Sequence, residues 1–599
     1  MSLQLPSLGT VVTAALRTLQ RFPLVLAAAV LAATAAILMN DDVGPTWLRD
    51  RMLAAAVLAI PLCTAVQLTV ERRTWHRALR LAPWVAALAV LAAVYASWDH
   101  WPDRMRFARF AQLAVAFHLA VAFLPFQGRY TANAFWQYNR VLFLRFLGAG
   151  ISSATFFAGL ALALAAVDQL FGVDVPEAGY FRLWVMMAFV FNTWFFLGGV
   201  PEDPNALESR REYRAALRIF AQYTLVPLVS VYLVILTLYL GKVVVTWDWP
   251  SGWIGWLVSG VAAAGILTLL LVRPIADDPD QTWVAAFARI FWLAVMPAIV
   301  MLWLALFQRV RQYGITEPRY FLLVLSLWLA ALAVWYTVTR SRDMRLVPLS
   351  LCLGTLFTYA GPWSAYAVSA RSQVARLTAI LERNGMLVAG DVPAPSRRVS
   401  DADAREVSAV VRYLAETHGT GRLAPLFTDA TALRLGLGQR GPTRLAEPHV
   451  RAVVTALGVP YVEKWDRPGA PMHYFSVNTR RAGAIPLAGF DYLVRVRPAG
   501  DSIIPDTGVT AVLAPEARVV RIRHGSVLLV DVPLDSPLAV ARRTSGAAAN
   551  TLPPGRLHVE AASPRARASL WLRSLSGQDS AGTIRPSLVI GEVLVDLRP

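Results

Sequence analysis

Residues 219–241 read IFAQYTLVPLVSVYLVILTLYLG, a stretch without a single charged side chain. An apolar run of about 18 or more residues forms a helix that can cross the roughly 30 Å hydrocarbon core of a bilayer. Ten further apolar runs accompany this one within the first 363 residues. The sequence therefore predicts an α-helical polytopic membrane protein with about 11 transmembrane helices. The predicted spans are 22–39, 52–70, 81–98, 108–126, 141–167, 181–200, 219–241, 254–273, 287–307, 320–339 and 345–362.

The composition of the chain supports a membrane location and argues against a nucleic-acid partner. Hydrophobic residues make up 56% of the sequence and charged residues 16%, whereas soluble domains have about 25% charged residues. The net charge of +18 is spread over short loops and a tail of mixed charge, whereas a nucleic-acid-binding protein concentrates its basic residues on one face. The two cysteines, Cys63 and Cys352, each lie inside an apolar run, so no disulfide framework is predicted.

The basic residues of the short loops predict the orientation of the chain, because the cytoplasmic loops of membrane proteins are enriched in lysine and arginine. With the N-terminus inside, the inside segments hold 18 basic residues and the outside segments hold 10. An odd number of spans then places the tail, from Ser364 onward, on the extracytoplasmic side. This prediction depends on the span count, since one span more or fewer reverses it.

The tail is predicted to form a C-terminal α+β soluble domain that follows the transmembrane domain of residues 1–363. Residues 364–470 are mainly helical, and residues 471–599 form a β-rich module in which Gly, Pro and Asp separate short alternating stretches. Apolar residues at three- and four-residue spacing predict helices at 372–386, 400–417 and 444–457. The predicted strands are 491–496, 509–513, 518–522, 526–532, 557–561, 569–572 and 587–597.

Polar side chains in and near the apolar runs are the candidate functional residues, because an ionisable group is costly against lipid. His118 lies in the middle of the fourth predicted span. Asn133, Gln137 and Arg140 share one face of a helix that approaches the fifth span, and Arg145 points elsewhere about one turn inside it. These groups are suited to line a pathway for an ion or a lipid head group. They are equally suited to reach the interface or to form hydrogen bonds between helices.

Asn192 completes the set of candidate residues, since it lies with Thr193 deep in the sixth span. Small and polar residues at such positions commonly serve helix packing. Asp277, Asp278 and Asp280 are close enough in sequence to suggest Mg²⁺ binding, but without a partner set elsewhere they are interpreted as a solvated loop. No established motif for nucleophilic catalysis, nucleotide binding or metal binding occurs. The sequence therefore predicts no catalytic residue, no cofactor and no metal site.

Several segments of the chain together are similar to one family of bacterial multi-pass membrane proteins. The segments are NAFWQYNRVLFLRF (133–146), FNTWFFLGGVP (191–201), YGITEPRYFLLVLSLW (313–328), GPWSAYAVSARSQVARL (361–377) and LERNGML (381–387). They resemble the family catalogued as domain of unknown function 4153. The resemblance covers the helical half and the start of the tail. It implies a protein of the bacterial cytoplasmic membrane without an established activity, and it assigns no catalytic residues.

Two classes of function remain open at this point. The first is a non-catalytic envelope protein whose membrane body presents the tail to extracytoplasmic partners. The second is a transporter or lipid-handling protein that uses polar groups inside the helical bundle, and a membrane-bound transferase is a third alternative. The expected partners are membrane lipids, together with an envelope protein or a lipid or small-solute ligand. The oligomeric state is not predicted.

Overall fold

The chain divides into two compact units. The first comprises Met1–Pro393 with Val410–Leu445, and the second comprises Ala394–Ala409 with Ala446–Pro599. The chain therefore passes from one unit to the other three times, after residues 393, 409 and 445. The computed structural model describes residues 8–73, 75–100, 103–126, 132–202, 207, 213, 215–247, 254–276, 278, 280–341, 343–386, 399–437, 447–463, 472–477, 487–497, 508–544, 551–552, 558–580 and 583–597.

Apolar helices build the first unit. Ten helical segments of the described chain are long and apolar enough to cross a membrane, and they correspond to the first ten predicted spans. Two of these segments contain a π-helical turn, at Met186–Phe191 and at Phe220–Leu225. The helices are α1 Leu8–Arg21, α2 Pro23–Asn40, α3 Thr46–Arg72, α4 Arg77–Ser97, α5 Asp103–Phe123, α6 Ala132–Phe171, α7 Glu177–Val185, α8 Asn192–Leu197, α9 Ala215–Ile219, α10 Val226–Thr246, α11 Ile254–Val272, α12 Thr282–Ala294, α13 Met296–Tyr313, α14 Glu317–Thr339 and α15 Leu346–Phe357.

The eleventh predicted span, 345–362, is the short helix α15 of 12 residues. At 1.5 Å per residue it is about 18 Å long, which is less than the bilayer core. Hydrogen bonds nevertheless show that this segment returns along α14. Tyr336 donates to the carbonyl of Asp343 at 2.7 Å, and Trp328 donates to Ser350 Oγ at 2.9 Å. Tyr320, near the start of α14, donates to the carbonyl of Trp363. The chain therefore leaves α15 at the end of the bundle where α14 begins.

Small side chains allow the close packing of α2 against α3. The buried residues of α2 include six alanines, and helices inside membranes approach closely where such small residues face each other. Helix α3 also packs on α5, which in turn packs on α15. The same core includes the large side chains of Leu58, Phe126, Tyr138 and Phe291, each at most 2% exposed.

Helix α6 is longer than the predicted span 141–167, because it begins at Ala132 and ends at Phe171. Its 40 residues make a rod of about 60 Å, twice the thickness of the bilayer core. Five consecutive residues near its start, from Ala134 to Tyr138, are buried in protein. Protein contacts therefore extend the helix beyond the apolar run that hydropathy detects.

The tail begins as helices, as predicted. They are α16 Ala365–Arg383, α17 Asp401–His418, α18 Asp429–Arg434 and α19 Glu447–Ala456. Ser400 caps α17, since its hydroxyl accepts from the backbone N–H of Asp403 at 3.1 Å, as expected for a serine at this position. Helix α18 was not predicted.

The second unit contains a mixed β-sheet. Its strands are β1 Met472–Val477, β2 Tyr492–Arg497, β3 Val509–Ala514, β4 Val519–His524, β5 Val527–Pro533, β6 Thr551–Leu552, β7 His558–Ala562, β8 Ala566–Ser580 and β9 Thr583–Leu597, with helix α20 Asp535–Thr544 after β5. The order is β5-β4-β3-β2-β9-β8-β1-β6, and β7 also pairs with β8. Only the β1–β6 and β2–β3 pairs among these are parallel. All seven predicted strands are present, and β1, β6 and α20 are additional.

Candidate functional site

A cavity of about 490 Å³ lies inside the first unit between α5, α6, α11, α14 and α15. We call it the central cavity. Most of its wall is apolar, from leucine, alanine, isoleucine and tryptophan side chains. Four polar or charged side chains also line it: Asn139, Arg140, Ser259 and Arg273. An apolar wall with a few polar groups is typical of sites that bind small molecules or lipids.

The start of α6 is fixed to the end of α11, and this brings Arg140 and Arg273 to one end of the central cavity. Trp136 donates its indole N–H to the carbonyl of Leu270 at 2.6 Å. The guanidinium of Arg140 lies 5.4 Å from the Trp136 ring centroid, within the range of a cation–π contact. Arg273 directly follows the last residue of α11. Arg140 and Arg273 therefore both line the part of the central cavity that the start of α6 and the end of α11 form.

Tyr213 also contacts the end of α11 and the start of α6. Its hydroxyl donates to the carbonyl of Leu271 at 2.9 Å, and its ring packs 5.5 Å from the Trp136 ring. Burial raises the pKa of Tyr213 to about 12, although the positive charges of Arg218 and Arg140 oppose this shift. Tyr213 is consequently a neutral donor at physiological pH.

A second cavity of about 370 Å³ adjoins the first and contains His118. We call it the His118 cavity. Its other polar lining residues are Thr64, Asn139, Asn192 and Thr193. His118 Nδ1 lies 2.7 Å from the carbonyl of Ala114, one turn earlier in α5. The two cavities share three lining residues, namely Ala122, Asn139 and Phe143.

Asn139 forms part of the boundary between the cavities. Its amide donates to the carbonyls of Phe135 and Ala122, at 2.9 Å and 3.2 Å. These bonds tie the side chain to α6 and to the end of α5. Asn192 reaches the His118 cavity directly after the π-helical turn Met186–Phe191. Such turns are frequent at functional sites, because they change the direction of the side chains that follow.

The predicted candidate residues are divided among different surroundings. His118 and Asn192 line the His118 cavity, whereas Arg140 lines the central cavity. Gln137 is buried, with 2% of its surface exposed. It points to another side of α6 than Asn139, since two residues correspond to about 200° on a helix. The half-buried Asn133 lies at the start of the helix.

Arg145 is exposed on α6, and its side chain packs against Gly199. A Cβ atom at Gly199 would lie 2.2 Å from Arg145 Cδ. A side chain at position 199 would therefore displace the Arg145 guanidinium from this contact between α6 and the segment after α8. One residue that sequence reasoning missed is Asn139, which lies among the predicted residues but on a different helix face.

A cavity of about 530 Å³ beside α1 has the most polar lining of those described here. Arg17, Arg21, Thr18 and Glu202 line it. Arg21 is engaged in structural contacts, because its guanidinium bonds to Glu71 at 2.9 Å and to the Val200 carbonyl at 2.8 Å. In the sequence analysis these arginines are counted among the basic residues that predict the orientation of the chain.

The most connected buried polar group of the first unit lies around Glu317 at the start of α14. His418 Nε2 lies 2.9 Å from Glu317 Oε1, and Ser369 Oγ donates to the same oxygen at 2.5 Å. The hydroxyl of Tyr413 donates to Glu317 Oε2. Glu317 is 8% exposed and Ser369 is fully buried. We call Glu317, Ser369, Tyr413 and His418 the Glu317 cluster.

The geometry of the Glu317 cluster differs from that of a hydrolytic triad. In a triad, one imidazole nitrogen faces the serine and the other faces the carboxylate. Here the same nitrogen, His418 Nε2, lies 2.9 Å from Glu317 and 3.3 Å from Ser369. Burial and the charge of Glu317 raise the pKa of Tyr413, so the phenol remains a donor at neutral pH. The arrangement joins α14 to α16 and α17.

Further polar contacts surround the Glu317 cluster. Tyr366 donates to Gln112 Oε1 at 2.7 Å, and Gln112 donates to Thr358 Oγ1 at 3.1 Å. The guanidinium of Arg109 lies 4.4 Å from the Tyr366 ring centroid. These contacts join α5 and the end of α15 to α16. Neither Glu317 nor His418 was predicted as a site residue, since Glu317 lies between the predicted spans 287–307 and 320–339 and the histidines of the tail have no metal-ligand spacing.

The acidic loop after α11 is only partly described. Asp278 pairs with Arg218 at 3.2 Å, and Asp277 lies outside the described residues. Among the residues that the structure describes, no group of three or more His, Cys, Asp or Glu side chains is arranged to hold a metal ion.

Fold and cavities together define a multi-pass membrane protein with a helical bundle and a separate C-terminal unit built on a β-sheet. The model of the domain of unknown function DUF4153 matches residues 25–390, so the chain belongs to this family, as the sequence resemblance predicted. The chain is 26% identical over 356 residues to the uncharacterized protein PM1469 of Pasteurella multocida (strain Pm70). This match spans 57% of the chain and 57% of that relative. No solved structure matches the chain significantly.

Proposed function

We propose that this protein is a non-catalytic protein of the bacterial cytoplasmic membrane that presents its C-terminal α+β domain to the cell envelope. The observation that carries the proposal is the Glu317 cluster. It joins α14, which is one of the membrane-crossing helices, to Ser369 in α16 and to Tyr413 and His418 in α17. The bundle therefore holds the beginning of the tail through buried polar contacts, as an anchor for a presented domain would require.

The proposed orientation has the N-terminus in the cytoplasm and the C-terminal domain outside. The count of 18 inside against 10 outside basic residues supports it. The return of the chain along α14 supports the odd number of crossings, because Tyr320 and Trp363 meet at the same end of the bundle. An envelope protein or an extracytoplasmic ligand is the proposed partner of the domain.

Single introduced cysteines test the orientation. Ala402 and Asp280 are exposed, whereas both natural cysteines are buried. A402C should react with a membrane-impermeant maleimide in intact cells whose outer membrane is permeable to the reagent. D280C should react only after the cytoplasmic membrane is opened. The reverse pattern would contradict the proposed orientation, and labelling of the protein without either substitution controls for Cys63 and Cys352.

A second candidate function, the handling of a lipid or small solute, is favoured by the adjoining central and His118 cavities. Asn139 lines both of them, so displacement of one side chain would affect the wall between them. The test is transfer of a fluorescent phospholipid between leaflets in proteoliposomes that contain the full-length protein. Transfer no faster than in protein-free vesicles would remove lipid transfer as the function.

A further inference from the structure

Helix α1 is amphipathic, and its apolar side is exposed in the part of the chain that the structure describes. Four of its large apolar residues are 41–57% exposed, namely Val11, Val12, Leu16 and Leu19. The last three follow one another at four- and three-residue spacing, which places them on one side of a helix. The sequence of α1, LGTVVTAALRTLQR, contains two arginines and no acidic residue. A basic amphipathic helix of this kind is typical of segments that lie in a membrane surface.

The residue Phe22 separates α1 from α2, the first membrane-crossing helix. A residue before proline is disfavoured in the helical region, because the proline ring clashes with its backbone. Phe22 precedes Pro23 and has φ −126° and ψ 48°, outside the helical region. The chain therefore changes direction here, and α1 is a separate helix of 14 residues rather than the first turns of α2.

The contacts of Arg21, the last residue of α1, place this helix at one end of the bundle. Its guanidinium bonds to Glu71, next to the end of α3, at 2.9 Å. It also donates to the carbonyl of Val200, just beyond α8, at 2.8 Å. Three membrane-crossing segments thus have an end beside α1: Pro23–Asn40, Thr46–Arg72 and Glu177–Leu197. Because such segments end near the boundary of the hydrocarbon core, α1 lies at the level of the lipid head groups.

Further contacts fix the rotation of α1 about its own axis. Trp194 of α8 donates its indole N–H to the carbonyl of Ala15 at 3.3 Å. Thr18 is 7% exposed, and its hydroxyl oxygen lies 3.3 Å from the place that a Cβ atom at Gly198 would occupy. Two residues of the polar side line the cavity of about 530 Å³ beside α1, namely Thr13 and Arg17. The four exposed apolar residues do not line that cavity, so the apolar side of α1 is directed away from it.

We propose that α1 lies flat in the bilayer surface, with Val12, Leu16 and Leu19 inserted at the boundary between head groups and acyl chains. The partner is lipid, because α1 is joined through a single residue to a helix that is already in the bilayer. A second copy of the chain or a soluble protein would have to displace lipid from this level of the bundle. In the proposed orientation the lipid belongs to the cytoplasmic leaflet. The inference goes beyond the proposed function, since the same contact forms on either side of the membrane.

Spin labels on single introduced cysteines of the full-length protein in phosphatidylethanolamine–phosphatidylglycerol liposomes test the proposal. Collisions with oxygen, which concentrates in lipid, and with a water-soluble nickel chelate on both sides of the membrane report the surroundings of each label. Labels on the apolar side should favour oxygen, at a depth of about 5–10 Å; they replace Val12, Leu16 and Leu19. Labels on the polar side should favour the nickel chelate; they replace Thr13, Arg17 and Gln20. Protein without introduced cysteines controls for the two buried natural cysteines.

Two acidic substitutions provide a matched pair. L16E places a carboxylate on the apolar side and should move a label at Val12 out of the lipid, with a loss of oxygen collisions and a gain of nickel collisions. T13E adds the same charge on the polar side and should leave that label unchanged. Both positions are exposed, so the melting temperature of each variant should equal that of the unaltered protein. If L16E fails to fold, the comparison of the six labelled positions decides.

Four outcomes would overturn the proposal. Nickel collisions at all six positions would place α1 in water. A depth that increases steadily towards Gln20 would make α1 part of a membrane crossing. Spin–spin broadening at Val12 and Leu16 that disappears on dilution with unlabelled protein would show that a second copy covers the apolar side. Labels at these positions that are shielded from both reagents without such broadening would show that another segment or a bound protein covers it.

Discussion

One carboxylate, Glu317, connects three helices of the first unit. Both of its oxygens are engaged, by Ser369 and His418 on one side and by Tyr413 on the other. A buried charge is tolerated only when it is paired and hydrogen-bonded, and removal of one partner leaves the others without compensation. The cluster is therefore sensitive to single substitutions.

Glu317→Ala should destabilise the full-length protein, because the buried hydroxyl groups of Ser369 and Tyr413 lose their acceptor and each unsatisfied buried donor costs about 1–3 kcal/mol. The measurement is thermal or denaturant unfolding of the purified protein in detergent. The matched control is Glu416→Gln on α17, because Glu416 pairs with Arg104 at 3.1 Å in a partly exposed ion pair. Such pairs contribute at most about 1 kcal/mol. Equal effects of the two substitutions would show that the Glu317 cluster is not a stabilising contact.

For single residues, the sequence identifies polar side chains inside apolar runs. It does not identify the residues that these side chains contact. His118 and Asn192 were recognised because they interrupt apolar runs, and the structure places them on one cavity. Helical periodicity grouped Arg140 with Gln137, although only Arg140 lines the central cavity. Asn139 and Glu317 were missed because the contacts that make them important are made with residues of other helices. No spacing along the chain encodes such contacts.

At the scale of elements, two glycines of α11 differ in what surrounds them. A Cβ atom at Gly265 would lie 2.1 Å from the ring of Phe291, whereas one at Gly260 would meet nothing within 4 Å. Gly265 is therefore required for the close approach of α12 to α11. Gly260 has no such role.

Gly265→Ala should destabilise the protein by about 1–3 kcal/mol, since the added methyl group forces the packed Phe291 ring to move. Gly260→Ala, on the same helix, should be neutral or stabilising by up to about 1 kcal/mol, because alanine is the better helix former. Unfolding of the two purified variants measures the difference. A second substitution, Phe291→Leu, should recover part of the loss in Gly265→Ala. A loss that remains complete would mean that the ring is not its cause.

Hydropathy located the membrane helices but not all of their ends. It places the start of the fifth span at residue 141, whereas α6 begins at Ala132. The reason is that protein and not lipid covers the first turns of α6, and polar residues such as Gln137 are acceptable there. In the β-sheet, alternation predicted β3 correctly, because buried and half-buried residues alternate along it. The two-residue strand β6 is too short for alternation to detect.

For the molecule as a whole, the division into two units predicts which fragment folds alone. The apolar core of the second unit lies between Val496 and Val595. Residues 446–599 contain this whole core, whereas 410–445 belong to the first unit. We expect the fragment 446–599 to show a β-type circular dichroism spectrum and a cooperative melt.

The longer fragment 370–599 provides the comparison. It adds residues 370–445, of which 410–445 belong to the first unit. It lacks the membrane helices of that unit, and therefore also Glu317, the partner of Tyr413 and His418. It should give the same melting transition as 446–599, with increased aggregation from the unpartnered segment. A random-coil spectrum for both fragments would show that the second unit depends on the membrane half for folding.

The Glu317 cluster also sets an order of events during biosynthesis. Tyr413 is translated 96 residues after Glu317. At about 5–20 residues per second this interval lasts roughly 5–20 seconds. The helix that begins at Glu317 therefore leaves the ribosome before its carboxylate can contact Tyr413 and His418. A nascent chain that stops short of Tyr413 lacks both Tyr413 and His418, so Ser369 is the only other member of the Glu317 cluster present to contact the carboxylate at the start of α14.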